Sequence, residues 1–311
     1  MKFSLKKSGL PFLMAMLFLF MAVPSYATDY DGEMIMLMSS MHTYSKQLNP
    51  NFCVISNGGY RLYDKDFEGW RFMDSVEGVL LEDVFYGEDC HYGKSTPASE
   101  SEGMKQAMDY ALWQGKAVFN LEYCSPEKEN SYNGSVYYNA PNLELNQIVP
   151  FKNPNSTDVT SLNQVRNYMA IFNADEFEKQ GSKDDYIEAL CDTDYDLIFV
   201  DLFFGDEQLT PTDVERLKYR RNGTRRMVCS YISVGEAEDY RYYWNEDWDD
   251  DEPDWLDDAN DDWEGNYKVK YWSQDWQNIL YGNPDAYLDR ILMAGFDGAY
   301  FDVIDACEHF D

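Results

Sequence analysis

The chain has 311 residues, of which 57 are acidic and 25 basic, so its formal net charge is −32 at pH 7. This charge argues against nucleic acid or another anionic polymer as the ligand and favours a neutral or cationic one, although solubility outside a cell explains part of it. Hydrophobic residues make up 44% and aromatic residues 16%, enough both for a core and for a sugar-binding surface.

The N-terminus has the pattern of a secretory signal. Lys2, Lys6 and Lys7 precede an apolar run from Leu10 to Val23, and Ser25-Tyr-Ala27 is a small-x-small cleavage site. We therefore expect residues 1–27 to be removed and residues 28–311 to form a single domain that is secreted, periplasmic or on the cell surface, with no stable membrane insertion. An uncleaved anchor is the alternative, but the apolar run is short for a membrane span.

Downstream, helical and strand-like segments alternate. Helices are expected at 32–48, 102–114, 184–191, from Thr210 onward and at 284–293, and a loop rich in Asn, Pro and Ser at about 125–160. Short apolar runs predict eight strands, at 52–56, 78–81, 117–121, 168–172, 195–200, 226–233, 268–272 and 299–304. Eight strands that alternate with helices or loops predict an α/β fold, a (β/α)8 TIM barrel, with a seven-stranded or open sheet as the alternative.

The ends of the predicted strands are unusually acidic or amidic. Ligands and catalytic groups collect at the carboxyl edge of parallel strands, so these side chains predict one polar cup lined by carboxylates. Two carboxylates are what glycoside hydrolysis needs, one to protonate the leaving oxygen and one to act as nucleophile or base. The strand-end residues are Asn57, Glu82, Glu122, Asn173, Asp201, Glu236 and Asp302.

Other hydrolytic chemistries lack their signatures. The six cysteines show no CxxC, the three histidines show no metal-ligand spacing, and there is no GxSxG elbow. We therefore expect no metal and no cofactor. One disulfide is possible, but the sequence does not indicate which cysteines would form it.

Segments of the C-terminal half resemble a known family. Gly-Glu-Ala-Glu-Asp-Tyr-Arg at 235–241, Val269-Lys-Tyr-Trp272, Gly295-Phe-Asp-Gly298 and Tyr300-Phe-Asp-Val-Ile-Asp305 are similar to glycoside hydrolase family 114, and the likeness extends over 195–310. That family consists of TIM-barrel proteins that include endo-α-1,4-polygalactosaminidases. The resemblance implies an endo-acting glycosidase without a cofactor.

The order of segments departs from the family. The family's last helix and strands resemble residues 32–123 here, so the resemblance implies a circularly permuted barrel, whose N-terminal helix 32–48 would cover the strand at 299–304. Adjacent termini make such a permutation tolerable.

Carried over residue by residue, the resemblance implies that Asp302 and Glu82 are the catalytic acids. Glu82 is assigned as general acid and Asp302 as nucleophile or base. Asn57, Asp201, Tyr231 and Glu236 are assigned to the sugar subsite, together with Asp305 and Trp272. For Asp305, as for Glu238 and Arg241, a supporting ion pair is the alternative.

Residues 247–264 form an acidic segment, with eleven acids among eighteen residues. Six of the eight tryptophans lie between Trp244 and Trp276. The segment is interpreted as a rim that attracts a cationic amino-sugar polymer, with a solvated charge run or a calcium loop as alternatives.

Together these features predict a secreted hydrolase of an amino-sugar (galactosaminide-type) polysaccharide. A non-catalytic glycan-binding protein on a degenerate barrel is the main alternative. A deacetylase-like hydrolase is a third, and it would require a metal site.

Overall fold

A computed structural model describes residues 28–128, 130–142, 146–153, 155–249 and 251–311. The predicted signal peptide, residues 1–27, lies outside the described residues. Within the described part of the chain, no helix combines the length and apolar character needed to cross a membrane.

Eight parallel strands form the central sheet. They are β1 Cys53–Asn57, β2 Gly78–Glu82, β3 Ala117–Glu122, β4 Val136–Asn139, β5 Tyr168–Ile171, β6 Leu197–Val200, β7 Met227–Ser233 and β8 Gly298–Asp302. Their order in the sheet is β4-β3-β2-β1-β8-β7-β6-β5, so each strand pairs with its neighbours in the chain except at β4 and β5, and β8 pairs with β1. The predicted α/β TIM-barrel fold is confirmed.

The helices surround this sheet. They are α1 Tyr30–Leu48, α2 Ala98–Trp113, α3 Asp175–Glu178, α4 Lys183–Cys191, α5 Pro211–Leu217, α6 Gln274–Leu280, α7 Tyr287–Ala294 and α8 Cys307–Phe310. Ser182 and Thr210 begin α4 and α5 with capping boxes, which satisfy backbone N–H groups at the helix start. Helix α1 buries Met34, Met38 and Met41 and packs against α7 and α8.

One predicted barrel strand is wrong and another was missed. Asn266–Val269, predicted at 268–272 as a barrel strand, belongs instead to a three-stranded antiparallel sheet with Glu236–Glu238 and Leu256–Ala259. The alternation Lys268-Val-Lys fits this assignment, because an antiparallel strand covered on one face alternates polar and apolar residues. The eighth barrel strand is instead β4, which lies inside the predicted loop at 125–160.

The ring is nearly closed. Among the described residues, no backbone ladder joins β4 to β5, and aromatic rings fill the seam between them. Tyr138 of β4 contacts Tyr168 of β5, with ring centroids 5.7 Å apart. Behind them Tyr195 stacks on Phe151 at 4.7 Å.

Rings also fill the barrel interior. Phe199 contacts Tyr168 at 5.6 Å and Tyr300 at 5.0 Å between ring centroids, so a packed aromatic layer extends from β5 across β6 to β8. Gly298 is the first residue of β8, and a Cβ atom there would come within 2.4 Å of the Cys53 carbonyl oxygen. All six cysteines are free thiols.

Several short elements complete the described structure. Two-residue strands pair as hairpins, and 3-10 turns follow several strands. The hairpins are Asp66–Phe67 with Trp70–Arg71 and Phe203–Phe204 with Glu207–Gln208, and the 3-10 turns are Tyr60–Leu62, Phe72–Ser75, Glu88–Cys90, Leu162–Gln164, Glu246–Asp249 and Ile304–Ala306.

Candidate active site

Three adjacent strands bring together side chains that are far apart in the sequence. Asn57, Glu82 and Asp302 are the last residues of β1, β2 and β8, and β1 lies between the other two strands in the sheet. The strands are parallel, so all three residues lie at the carboxyl edge of the barrel, where this fold places its active sites.

The amide of Asn57 joins the two acids. Its Nδ2 atom donates one hydrogen bond to Glu82 Oε1 at 2.6 Å and another to Asp302 Oδ1 at 2.8 Å. Two oxygens bonded to one nitrogen lie no farther apart than the sum of these distances, 5.4 Å. Both acidic residues are half-buried, so neither is fully enclosed by the protein.

The other partners of the two acids are neutral. Tyr123 Oη donates to Glu82 Oε2 at 2.5 Å, and Tyr300 Oη lies 3.5 Å from Glu82 Oε1. The backbone N–H of Val303 donates to Asp302 Oδ1 at 2.9 Å. Within the described structure, no lysine or arginine forms an ion pair with either acid.

Without a basic partner, the acids hold their protons more tightly. Burial, followed by the negative charge of Glu82, raises the pKa of Asp302 from 3.8 to about 7. Burial also raises the pKa of Glu82, and the hydrogen bonds from Tyr123 and Asn57 oppose that rise. The adjacent Asp83 follows the same pattern, since burial and the charge of Glu82 raise its pKa to about 8.

The backbone turns sharply directly after each of the three residues. Gly58, Asp83 and Val303 follow them and have φ angles of 66°, 56° and 58°. Glycine adopts this left-handed conformation freely, whereas it is costly for aspartate and rare for a β-branched valine. Backbone strain of this kind concentrates at functional sites, and here it follows both acids of the pair.

Three other predicted site residues are engaged by protein groups. Asp201 accepts hydrogen bonds from Arg241, which also pairs with Glu238, and all three side chains are buried. Glu236 accepts from the side chains of Asn260, Asn266 and Lys268. The ring of Tyr231 packs against Phe172 at 5.3 Å, and burial raises the pKa of its phenol well above 10.

The remaining two predicted residues lie farther out. Asp305 is exposed and lies beside the turn after β1. A Cβ atom added to Gly58 in that turn would be 3.6 Å from Asp305 Oδ2. Trp272 packs against Tyr30 and Phe310, with ring centroids 5.0 and 4.8 Å away. Its described ring contacts are therefore with α1, α8 and the adjacent Tyr271 rather than with the acid pair.

Sequence reasoning missed the two phenols at Glu82. Tyr300 is an inward-facing residue of β8, and Tyr123 directly follows the acid that ends β3. Position alone does not distinguish either from a core tyrosine. Glu122 was recognised only as a strand end, and it accepts hydrogen bonds from the backbone N–H groups of Phe85 and Tyr86 at 3.0 and 2.9 Å.

The described residues of the acidic segment at 247–264 are folded against the rest of the protein. Trp248 packs edge-on against Trp244 and Trp255, and Trp255 packs against Trp276, with centroid distances of 5.0 to 5.1 Å. Trp263 differs, with 53% of its surface exposed. No cluster of three or more metal-ligating side chains occurs in the described ranges.

A family match covers part of the chain that forms the carboxyl edge of the barrel. Residues 173–310 match the glycoside-hydrolase family GH114. The GH114 match includes Asp302, Asp201, Tyr231 and Glu236 and confirms the resemblance for this part of the chain. It supports a glycoside hydrolase. Glu82 and Asn57 precede the matched segment, so their predicted correspondence to the family by circular permutation stays a prediction.

Curated relatives share part of this chain. An uncharacterised protein of Methanocaldococcus jannaschii is 38% identical over 125 residues, which are 40% of this chain and 34% of that protein. One from Deinococcus radiodurans is 38% identical over 125 residues, covering 40% and 38%, and one from Thermotoga maritima is 44% identical over 81 residues, covering 26% and 24%. The chain thus spans between about a quarter and two fifths of the length of these relatives.

Proposed function

We propose that this protein is a secreted endo-acting glycosidase that cleaves an amino-sugar polysaccharide of the galactosaminide type, with Glu82 as general acid and base and Asp302 as nucleophile. One observation carries the proposal: the amide of Asn57 donates to both carboxyl groups and keeps their bonded oxygens within 5.4 Å of each other. Retaining glycosidases separate their two carboxyl groups by about 5 to 5.5 Å, whereas inverting enzymes need about 6.5 to 9.5 Å. The spacing supports retention.

The hydrogen bonds support the division of roles. Both oxygens of Glu82 accept hydrogen bonds from side chains, whereas the described bonds of Asp302 are all to Oδ1. Asp302 Oδ2 therefore keeps its lone pairs for attack on the anomeric carbon. As the C–O bond breaks, Glu82 gives its proton to the leaving oxygen. Glu82 then takes a proton from the water that cleaves the glycosyl ester and releases Asp302.

The substrate class follows from charge. The chain carries a formal net charge of −32, and eleven acids lie in the segment 247–264. A galactosamine polymer with free ammonium groups complements such a surface, which raises the rate of encounter.

The first test is hydrolysis of a partially deacetylated galactosamine polymer. New reducing ends and a ladder of oligosaccharides are expected from the purified protein, and Glu82→Gln and Asp302→Asn should each lower kcat by roughly 1,000-fold or more. Asp184→Asn, which changes an exposed acid paired with Arg216, is the matched control and should retain full activity.

Azide separates the two roles. With Asp302→Ala, azide should replace the missing nucleophile and give a glycosyl azide of inverted anomeric configuration. With Glu82→Ala, it should attack the covalent intermediate and give the retained configuration. The reverse pattern would exchange the roles. Binding of the polymer without any release of reducing ends would instead indicate a glycan-binding protein on a degenerate barrel.

A further inference from the structure

Glu82 is held from both neighbouring strands. Asn57 at the end of β1 donates to Oε1, and Tyr123 directly after β3 donates to Oε2 at 2.5 Å. A carboxyl group bonded through each oxygen to a different strand cannot rotate without losing one of the two bonds. Tyr123 thus fixes the position of Oε2 of Glu82, the residue that transfers the proton in the proposed function.

Tyr123 is itself firmly placed. Its side chain is 6% exposed. Its backbone N–H donates to the Tyr86 carbonyl at 3.1 Å, and its carbonyl accepts from Gly93 at 2.7 Å. The preceding residue, Glu122, accepts from two further backbone N–H groups of the same β2–α2 loop. The phenol is therefore fixed by the loop and by β3 together.

The phenol also keeps its proton. Burial and the neighbouring negative charge of Glu82 raise the pKa of Tyr123 well above 10, so its hydroxyl remains a donor throughout the pH range in which a glycosidase works. A permanent donor favours the carboxylate form of Glu82, and so it opposes the effect of burial on that acid.

The titratable groups that act on the charge of Glu82 are acids and phenols. They come from the end of β2, from β3, β5 and β8, and from the turn after β8. They are Asp83, Glu122, Tyr123, Tyr168, Tyr300, Asp302 and Asp305. The only direct hydrogen bonds from side chains to Glu82 come from Asn57, Tyr123 and Tyr300 among the residues that the structure describes.

We propose that Tyr123 is a positioning residue for Glu82, whose hydroxyl orients the carboxyl group for proton transfer and assists release of its proton. This role rests on the proposed function. The assignment is new for this chain in that Tyr123 lies outside the GH114 match and follows only from the geometry.

Tyr123→Phe removes the hydroxyl and leaves the ring. We expect kcat on the galactosamine polymer to fall by roughly 10- to 100-fold, with KM changed less than about threefold, because the lost bond acts on the proton-transfer step. The alkaline limb of the kcat–pH profile should move to higher pH, because loss of a donor to the carboxylate raises the pKa of the general acid.

Two further tyrosine variants provide a control and a weaker version of the same change. The Tyr138 hydroxyl is buried and has no hydrogen-bond partner within the described part of the chain, so Tyr138→Phe removes the same atom without a bond and should change neither kcat nor the pH limb. Tyr300 Oη lies 3.5 Å from Glu82, so Tyr300→Phe should act in the same direction as Tyr123→Phe but more weakly. It also serves as the second test if Tyr123→Phe does not fold.

Carbon-13 NMR titration of the Glu82 carboxyl, assigned with Glu82→Gln, tests the proposal without substrate. A titration midpoint that moves upward in Tyr123→Phe but not in Tyr138→Phe supports the role. If the wild type cleaves no polymer while this shift is present, the positioning role stands and the proposed function falls. An unchanged midpoint in Tyr123→Phe, or an equal loss of kcat in Tyr138→Phe, overturns the proposal.

Discussion

Asn57 donates both hydrogens of its side-chain amide to carboxyl groups, and its amide oxygen is buried without a partner in the described structure. The sequence assigned Asn57 to sugar binding, yet its donors are used to hold Glu82 and Asp302. An amide suits this position, because it bridges two acids without neutralising them, whereas a lysine would fix both as carboxylates. Both acids therefore remain able to exchange a proton.

The same uncompensated acids should cost stability. The pKa of Asp302 is about 7 in the folded protein and 3.8 in the reference state, so between these values the folded chain binds a proton that the unfolded chain has lost. The stability present below pH 4 is then lost as the pH rises towards 7. Asp302→Asn should remove this loss and raise the free energy of unfolding at pH 8 by on the order of 4 kcal/mol.

Urea unfolding of the wild type and Asp302→Asn at pH 4 and pH 8 measures this effect. The difference between the two proteins should be larger at pH 8. If the wild type and Asp302→Asn lose the same free energy of unfolding between pH 4 and pH 8, Asp302 titrates normally.

Among the elements, those with strong periodic signals were the predictable ones. Buried apolar runs such as that of β6 specify parallel strands, and α1 repeats its apolar residues at helical spacing. β4 has four residues, Val-Tyr-Tyr-Asn, of which Tyr137 is exposed, so its signal did not exceed that of the surrounding polar loop. Its assignment depends on pairing with β3, which is a tertiary contact.

The buried acid Asp196 anchors the segments that precede β5 and β6. Asp196 accepts hydrogen bonds from Arg220, Asn153 and the backbone of Arg166 at 2.7 to 3.0 Å, and the side chains of Asp196 and Arg220 are both fully buried. It lies at the amino edge of the barrel, opposite the acid pair.

Asp196→Ala should lower the free energy of unfolding by about 3–5 kcal/mol, because it leaves the buried guanidinium of Arg220 without its counter-ion. Asp192→Ala removes an exposed pair with Arg221 and should cost less than about 1 kcal/mol. Chemical denaturation measures both. Similar losses for the two variants would contradict the special role of the buried pair.

For the whole molecule, the excess of acids was plain from the sequence, but its arrangement was not. The tryptophans between Trp244 and Trp276 differ in exposure, since Trp255 and Trp276 are buried among other rings and Trp263 is exposed. Which ring is buried depends on how the antiparallel sheet after β7 folds back on itself. Sequence spacing does not specify that arrangement.

The net charge predicts how salt should affect the reaction. The Debye length falls from about 10 Å at 0.1 M to about 3 Å at 1 M salt, so salt screens attraction between an acidic protein and a cationic polymer. Raising NaCl over this range should raise KM for the deacetylated polymer several-fold and leave KM for the fully N-acetylated polymer nearly unchanged. Equal changes for both polymers would show that charge does not select the substrate.

The seam between β4 and β5 has a thermal consequence. Seven interfaces of the ring are joined by backbone hydrogen bonds, and the eighth is filled by Tyr138, Tyr168 and their aromatic neighbours. Hydrophobic contact weakens on cooling. The interface between β4 and β5 therefore depends on hydrophobic contact, which cooling weakens. On cooling, the barrel should begin to open between these two strands.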